Sequence, residues 1–191
     1  MFYLESERNR IYNNYSGAEK INLFLIEEEI EYIGSLIEEY KNYIWKIREE
    51  EHPIATKVWL FMKNELGWND IACAGALGNM MAEVGGQTLN LDYDLWDDSG
   101  EYYGLCQWVS YYCPEVMGVG LDEQLAYLKQ TVEYNMNEWN VPYESFLNAG
   151  TPQEAALMFA IGYERCNPRN YHIRTINAAL AYEYYTSDTR E

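Results

Sequence analysis

One glutamate and one short aromatic segment have the residue types and spacing that catalysis could use. Glu83 lies in the run GNMMAEVGG of residues 78–86, and the segment YGLCQW of residues 103–108 follows about twenty residues later. A carboxyl group that keeps its proton near neutral pH can donate it to a leaving oxygen. The two stretches together predict one acid beside a short aromatic strand.

Glu83 is predicted to lie in the last turn of a helix. Asn69 and Asp70 are candidates for its amino-terminal cap, and Gly85 and Gly86 end it. The negative end of the helix dipole opposes ionisation of a carboxyl there, and an apolar wall would oppose it further. Both effects favour the protonated form that a general acid needs. An ordinary solvated glutamate would fit the same position.

The aromatic segment is predicted to be a strand over residues 102–109, with a turn at residues 98–100 before it. Gly104 would allow a ligand or the helix backbone to approach closely. Gln107 offers an amide for sugar hydroxyls, and Trp108 offers a flat apolar face for a sugar ring.

Residues 79–83 combined with residues 103–108 resemble the phage tail lysozyme family. The tetrapeptide GLCQ of residues 104–107 is similar to the GLMQ element of goose-type lysozymes and lytic transglycosylases. The resemblance covers roughly residues 54–185. One departure is Val84, because the family usually has serine directly after the glutamate.

Two later segments extend the resemblance. Residues 122–128 resemble the helix that follows the hairpin in that family, and residues 155–165 resemble its late helix, with a tyrosine facing the cleft. The resemblance implies a mainly α, α+β lysozyme-like fold with a small β-hairpin beside the catalytic helix. It also implies cleavage of the MurNAc-GlcNAc glycan of peptidoglycan, with Glu83 as general acid. The side chains expected to hold the sugars are Tyr103, Gln107, Trp108 and Tyr163.

A second acid is expected because glycosidases generally pair the proton donor with another carboxylate. Five acidic residues crowd the loop before the strand: Asp92, Asp94, Asp97, Asp98 and Glu101. Position just before the turn favours Asp97 or Asp98, and we select Asp98.

Three other functions are open at this level. The same glutamate could serve a lytic transglycosylase, in which a sugar hydroxyl completes the reaction. Cys106 and His172 could form the thiol and imidazole pair of a cysteine peptidase that cuts wall peptides. A domain with this fold could also bind glycan or build a tail without catalysis.

Metal chemistry has little support in the sequence. His52 and His172 are the only histidines, and the four cysteines form no Cys-x-x-Cys pair. We therefore expect no metal ion or other cofactor. Cys73 is predicted to be a buried thiol in the core.

The net charge of -18 disfavours nucleic acid as a partner, since phosphate binding needs a basic surface. Bacterial walls are also anionic, so the acidity favours a tethered enzyme. No apolar run approaches the ~20 residues of a membrane span, and the charged start of the chain is not a signal peptide. We expect a phage-tail or extracellular wall-associated protein.

The amino-terminal part is predicted to be a long amphipathic helix. Apolar residues recur there at alternating spacings of three and four, the a/d pattern of a coiled coil. The helix could self-associate, lie across the catalytic domain, or pack on a partner in a parent assembly. We therefore divide the chain into an interaction segment, residues 1–52, and a lysozyme-like catalytic domain, residues 53–191. The residues of the pattern are Leu23, Ile26, Ile30, Ile33, Ile37, Tyr40, Ile44 and Ile47.

Overall fold

The computed structural model describes residues 42–187 and, before them, residues 31, 34, 35 and 39. The chain divides into two compact units, Met1–Ile47 and Arg48–Glu191. Most of the predicted a/d pattern lies outside the described residues, so the coiled coil and self-association stay predictions. In the part of the chain that the structure describes, no helix combines the length and the apolar character needed to cross a membrane.

The second unit is mainly helical with one small antiparallel hairpin, as the sequence predicted. A π-helical segment, Ala160–Glu164, directly continues the helix Pro152–Phe159, and single 3-10 turns lie at Pro114–Val116 and Pro168–Asn170. In chain order the helices and strands are α1 Pro53–Asn64, α2 Asp70–Val84, β1 Tyr102–Tyr103, β2 Trp108–Val109, α3 Leu121–Glu138, α4 Tyr143–Leu147, α5 Pro152–Phe159 and α6 Tyr171–Thr186.

Helix α2 begins and ends where its sequence predicted. The side chain of Asn69 accepts a hydrogen bond from the backbone N–H of Ala72 at 2.9 Å, which satisfies one of the free donors of the first turn. Gly85 follows the last helical residue, and Gly86 has a φ of 55°. Glu83 therefore lies in the last turn. Cys73 is fully buried as a free thiol, as predicted, and burial raises its pKa to about 12.

Two glycines let α2 approach its neighbours closely. A Cβ at Gly75 would lie 2.5 Å from the Cβ of Ala155 on α5, and a Cβ at Gly78 would lie 2.5 Å from the backbone nitrogen of Ala178 on α6. Both distances are shorter than van der Waals contact between non-bonded heavy atoms, so a side chain at either glycine would clash. The three helices therefore pack backbone against backbone, and this contact brings the ends of α2 and α5 next to α6.

The prediction of one continuous strand over residues 102–109 was wrong. The segment folds back on itself, and Tyr102 pairs with Val109 while Tyr103 pairs with Trp108. Left-handed backbone at Gly104 (φ 78°) and Gln107 (φ 44°) makes the turn between the strands. A glycine at the centre of the aromatic run is therefore the signal of a turn.

The close approach predicted at Gly104 is made by a side chain. A Cβ there would lie 2.5 Å from Oε1 of Gln124, a fully buried residue on α3. The same Oε1 accepts a hydrogen bond from the backbone N–H of Leu105 at 2.9 Å, and Nε2 donates to the carbonyl of Tyr93 at 2.8 Å. Gln124 therefore fixes the hairpin to α3.

Candidate active site

Glu83 forms a buried ion pair with an arginine of α6. Nη2 of Arg174 donates to Oε1 of Glu83. The side chain of Arg174 is only 3% exposed, whereas that of Glu83 is 21% exposed. Solvent can therefore reach part of Glu83 but almost none of the cation that holds it.

Asn79, one turn before Glu83, holds the arginine in place. Its Nδ2 donates to the carbonyl oxygens of Gly75 at 2.8 Å and Ala156 at 3.0 Å. This leaves Oδ1 to accept from Nη1 of Arg174 at 3.0 Å. Because both amide hydrogens are used by backbone, the orientation of Asn79 is fixed, and it fixes the guanidinium in turn.

A second carboxyl, that of Glu164, belongs to the same cluster. It ends the π-helical segment, and Arg165 after it has a left-handed φ of 55°. The residue as a whole is only partly buried, yet its Oε1 is fully enclosed and has no hydrogen-bond partner of its own. The thiol of Cys106 is hydrogen-bonded to the carboxyl group. We call Glu83, Glu164 and Arg174 the buried carboxyl cluster.

Burial raises the pKa of Glu164 to about 8. The negative charge of Glu83 raises this pKa further, while Arg174 and the thiol of Cys106 lower it. Burial alone would lower the pKa of Arg174, but the charges of Glu164 and Glu83 outweigh it and raise that pKa. The cluster thus combines a permanent cation with two carboxyls in unequal surroundings.

A cavity of about 280 Å³ lies between the hairpin and the π-helical segment, and Glu164 is the one member of the cluster that lines it. Gln107, Trp108, Tyr163 and Glu164 line it, together with Tyr112. Nε1 of Trp108 donates to the hydroxyl of Tyr163 at 3.1 Å, and this hydroxyl also lies 2.9 Å from Oγ1 of Thr131. These bonds fix two aromatic rings of the wall.

Three of the four predicted sugar-binding residues line this cavity, and Tyr103 does not. Tyr103 is fully buried, with its hydroxyl 2.7 Å from Oδ1 of Asp94 and 2.8 Å from the carbonyl of Val119. Burial and the neighbouring carboxylate raise its pKa to about 12. We correct its assignment. Tyr103 does not bind a sugar, because its ring has no exposed surface. Its hydroxyl instead anchors the loop of residues 92–101 to the hairpin through Asp94.

The acidic loop, residues 92–101, lies on the surface of the molecule. Asp97 forms its turn, accepting hydrogen bonds from Ser99 and from the backbone N–H groups of Glu101 and Tyr102. Hydrogen bonding, mainly from the Ser99 hydroxyl, lowers the pKa of Asp97 to about 2. Asp98 is exposed beside it and is not among the residues that line the cavity. Its role as second acid stays a prediction.

The two members of the candidate peptidase pair lie in different surroundings. Cys106 is 4% exposed with its thiol against Glu164, and burial followed by that negative charge raises its pKa well above the ordinary thiol value. His172 is exposed at the start of α6, where Nδ1 lies 3.0 Å from the carbonyl oxygen of Arg169. No hydrogen bond joins Cys106 to His172 among the described residues.

The comparison with protein families finds a match that covers most of the chain. The family model of phage tail lysozyme matches residues 53–185, which includes α2, the hairpin, the π-helical segment and α6. The chain belongs to the phage tail lysozyme family. Its activity class is therefore lysozyme-like degradation of peptidoglycan, which fits action in a phage tail or at a cell wall. No curated protein matches the chain.

Proposed function

We propose that this member of the phage tail lysozyme family cleaves the MurNAc-GlcNAc glycan strand, with Glu83 protonating the glycosidic oxygen. The observation that carries the proposal is the fixed position of Glu83 in a cluster whose other carboxyl, that of Glu164, lines an aromatic cavity. Glu83 itself is not a lining residue of this cavity. General acid catalysis of this kind contributes typically 10²–10⁴-fold to the rate.

The cavity supports a sugar as the substrate. Trp108 and Tyr163 line the cavity with rings in fixed orientations, although only 7% and 6% of their surfaces are exposed. Gln107 presents an amide whose Nε2 donates to the carbonyls of Leu95 and Gly104, both at 3.1 Å. The amide oxygen of Gln107 remains as an acceptor for a sugar hydroxyl. Aromatic faces and a fixed amide are the groups that bind a sugar ring by its apolar face and its hydroxyls.

Val84 in place of serine does not disturb this arrangement. Val84 is 5% exposed and packs in the core, and the backbone carbonyl after Glu83 accepts a hydrogen bond from the N–H of Asp92 at 3.0 Å. Glu83 instead takes its fixed partner from Arg174. We infer that the serine is dispensable here because the arginine orients the carboxyl.

The test is mass spectrometry of the fragments that wild type and Glu83→Gln release from purified peptidoglycan. The substitution keeps an oxygen that can accept from Arg174 but removes the charge that balances this buried cation, so circular dichroism of the variant must first show an intact fold. Glu144→Gln, an exposed glutamate on α4, is the matched control. We expect wild type and control to release the same glycan fragments, and Glu83→Gln to release at least 100-fold less.

The chemistry of the fragment ends identifies the reaction. Reducing ends indicate a muramidase, and anhydro-sugar ends indicate a lytic transglycosylase. Free peptides without glycan fragments would indicate the Cys106 peptidase. Peptidoglycan binding without any soluble product would indicate a binding or structural tail domain.

A further inference from the structure

Arg165 is the one basic residue among those that line the cavity in the described part of the chain. It directly follows the π-helical segment and is exposed. Its guanidinium carbon lies 5.0 Å from the ring centroid of Trp139, the residue after α3. An aromatic face attracts a cation, but it supplies no oxygen that could accept the hydrogen bonds of the guanidinium. Trp139 therefore holds the cation of Arg165 without occupying its donors.

The guanidinium of Arg165 makes no ion pair with a carboxylate of the described residues. The one hydrogen bond of this side chain to a described residue is long, from Nε to the backbone carbonyl of Tyr163 at 3.5 Å. The chain has 31 acidic and 13 basic residues, so acids are plentiful. Three partly exposed lysines each have a carboxylate oxygen within 3.2 Å: Lys57, Lys63 and Lys129. The Nη groups of Arg165 have no such partner in the described part of the chain and can receive an anion from outside.

The backbone of Arg165 also indicates a functional position. Its φ of 55° lies in the left-handed region, which is unfavourable for a residue with a Cβ. Four non-glycine residues in the described part of the chain have positive φ, and two of them, Gln107 and Arg165, line the cavity. Backbone strain of this kind clusters at ligand-binding sites. The fold thus keeps two unfavourable backbone conformations where an amide and a guanidinium face one cavity.

The charge of the cavity wall favours an anion at neutral pH. The carboxyl group among its described lining residues is that of Glu164, and burial raises the pKa of this group to about 8. The carboxyl is therefore mostly protonated at neutral pH, and Arg165 sets the charge of the wall. The planar fork of a guanidinium matches a carboxylate, which it binds through two parallel hydrogen bonds.

We propose that Arg165 binds a carboxylate of the substrate and makes the cavity selective for muramic acid units over neutral sugars. This inference rests on the proposed function, in which the cavity binds glycan, and adds a residue that determines specificity. Peptidoglycan offers the carboxylate in two forms. A MurNAc unit without peptide has it on the lactyl group, whereas a unit with peptide has it on the peptide, because its lactyl carboxyl is then an amide.

The test is NMR titration of the full chain with three small ligands. The neutral ligand is the disaccharide GlcNAc-GlcNAc. The first acidic ligand is GlcNAc-MurNAc, which has the lactyl carboxylate, and the second is GlcNAc-MurNAc with an attached Ala-Glu dipeptide, whose carboxylates lie on the peptide. None of the three contains the MurNAc-GlcNAc bond, so binding is measured separately from cleavage.

Wild type should bind at least one acidic ligand about fivefold more tightly than the neutral one, as expected for a partly exposed charge-assisted pair. Arg165→Met should lose this preference and bind the neutral ligand as wild type does. Arg165→Lys should keep part of the preference, because an ammonium retains the charge but not the fork. Added salt should weaken the preference of wild type, since the pair is open to solvent. The acidic ligand whose advantage disappears in Arg165→Met identifies the source of the carboxylate.

Arg169→Met is the matched control. Arg169 is also exposed and also makes no ion pair within the described residues, but it is not among the residues that line the cavity. The control should bind all three ligands as wild type does. Circular dichroism first checks that the variants have the wild-type fold, and Arg165→Lys, which keeps a cation beside Trp139, gives the comparison if Arg165→Met does not fold.

Three results would overturn the role of Arg165. They are unchanged binding of the acidic ligands by Arg165→Met, an equal loss of affinity for the neutral ligand, and the absence of any acidic preference in wild type. These results leave the assignment of Glu83 untouched, because that assignment depends on the fragments that Glu83→Gln releases. Wild-type cleavage by Glu83→Gln would in turn refute the proton donor and leave the carboxylate preference as measured.

Discussion

The molecule has two regions rich in carboxyl groups, and they differ in nearly every physical respect. The buried carboxyl cluster contains few charges, a fixed arginine and an enclosed oxygen without a partner. The acidic loop contains more carboxylates, but they are exposed or used to form its turn. The number of acids along the sequence is thus a poor guide to catalysis, since burial and partners decide which carboxyl can carry a proton.

The largest effect is expected from removing the cation of the buried cluster. Arg174→Met leaves the oxygens of Glu83 and Asn79 without their donor and places two carboxyls together without a counter-charge. Breaking one side of a buried ion pair typically costs 3–5 kcal/mol. Because Glu83 is partly exposed, we expect about 3 kcal/mol lower free energy of unfolding in urea at pH 7.

Arg169→Met is the control for that substitution, since Arg169 is exposed and its loss should change stability by less than about 0.5 kcal/mol. Arg174→Lys should have an intermediate effect, because an ammonium lacks the fork that reaches Glu83 and Asn79 together. Equal stability of Arg174→Met and Arg169→Met would show that the cluster does not stabilise the fold.

A smaller effect is expected at Cys106, which borders both the cavity and the cluster. The pKa of its thiol is raised by burial and by Glu164, so the thiol stays protonated near neutral pH and reacts slowly with alkylating reagents. Cys106→Ala should retain wild-type cleavage within about threefold, and iodoacetamide at pH 7 should not inhibit the enzyme. Loss of all wall cleavage in both experiments would restore the cysteine peptidase.

The regions also differ in how far the sequence predicted them. The bounds of α2 followed from local signals, namely the Asn69 cap and the Gly85-Gly86 stop, and the structure confirms both. Gln107, Trp108 and Tyr163 line one cavity, where Trp108 was expected from its aromatic character and Tyr163 from the family resemblance; their role in sugar binding stays a prediction. Local chemistry and a family motif were sufficient for these features.

The cluster itself could not be predicted, because its parts are distant in the chain. Arg174 lies 91 residues after Glu83, and only the packing of α6 on the glycines of α2 brings them together. One signal was available: Arg174 lies on the same face of α6 as Ala178 and Ala181, all buried. A lone arginine on a face of small residues indicates a buried charge that needs a partner.

In the hairpin, local signals were present but predicted the wrong structure. The aromatic and branched residues of 102–109 suggested one strand, but Gly104 and Gln107 adopt positive φ and reverse the chain. Tyr103 then turns inward, where its hydroxyl meets Asp94. A side chain expected at the cleft thus became part of the core, since alternation along a strand could not be read across a turn.

Whether the proton donor lies in the buried carboxyl cluster or in the acidic loop can be decided in one assay. Soluble fragments released from purified peptidoglycan are quantified by liquid chromatography for wild type, Glu83→Gln and Asp98→Asn at the pH optimum of the wild type. Glu83 as proton donor predicts a loss of at least 100-fold in Glu83→Gln. For the predicted second acid, a loss of about tenfold or more in Asp98→Asn would support the role, and a change below about twofold would remove it. Near-normal activity of Glu83→Gln together with loss of activity in Asp98→Asn would contradict the assignment of Glu83 and place catalysis in the acidic loop.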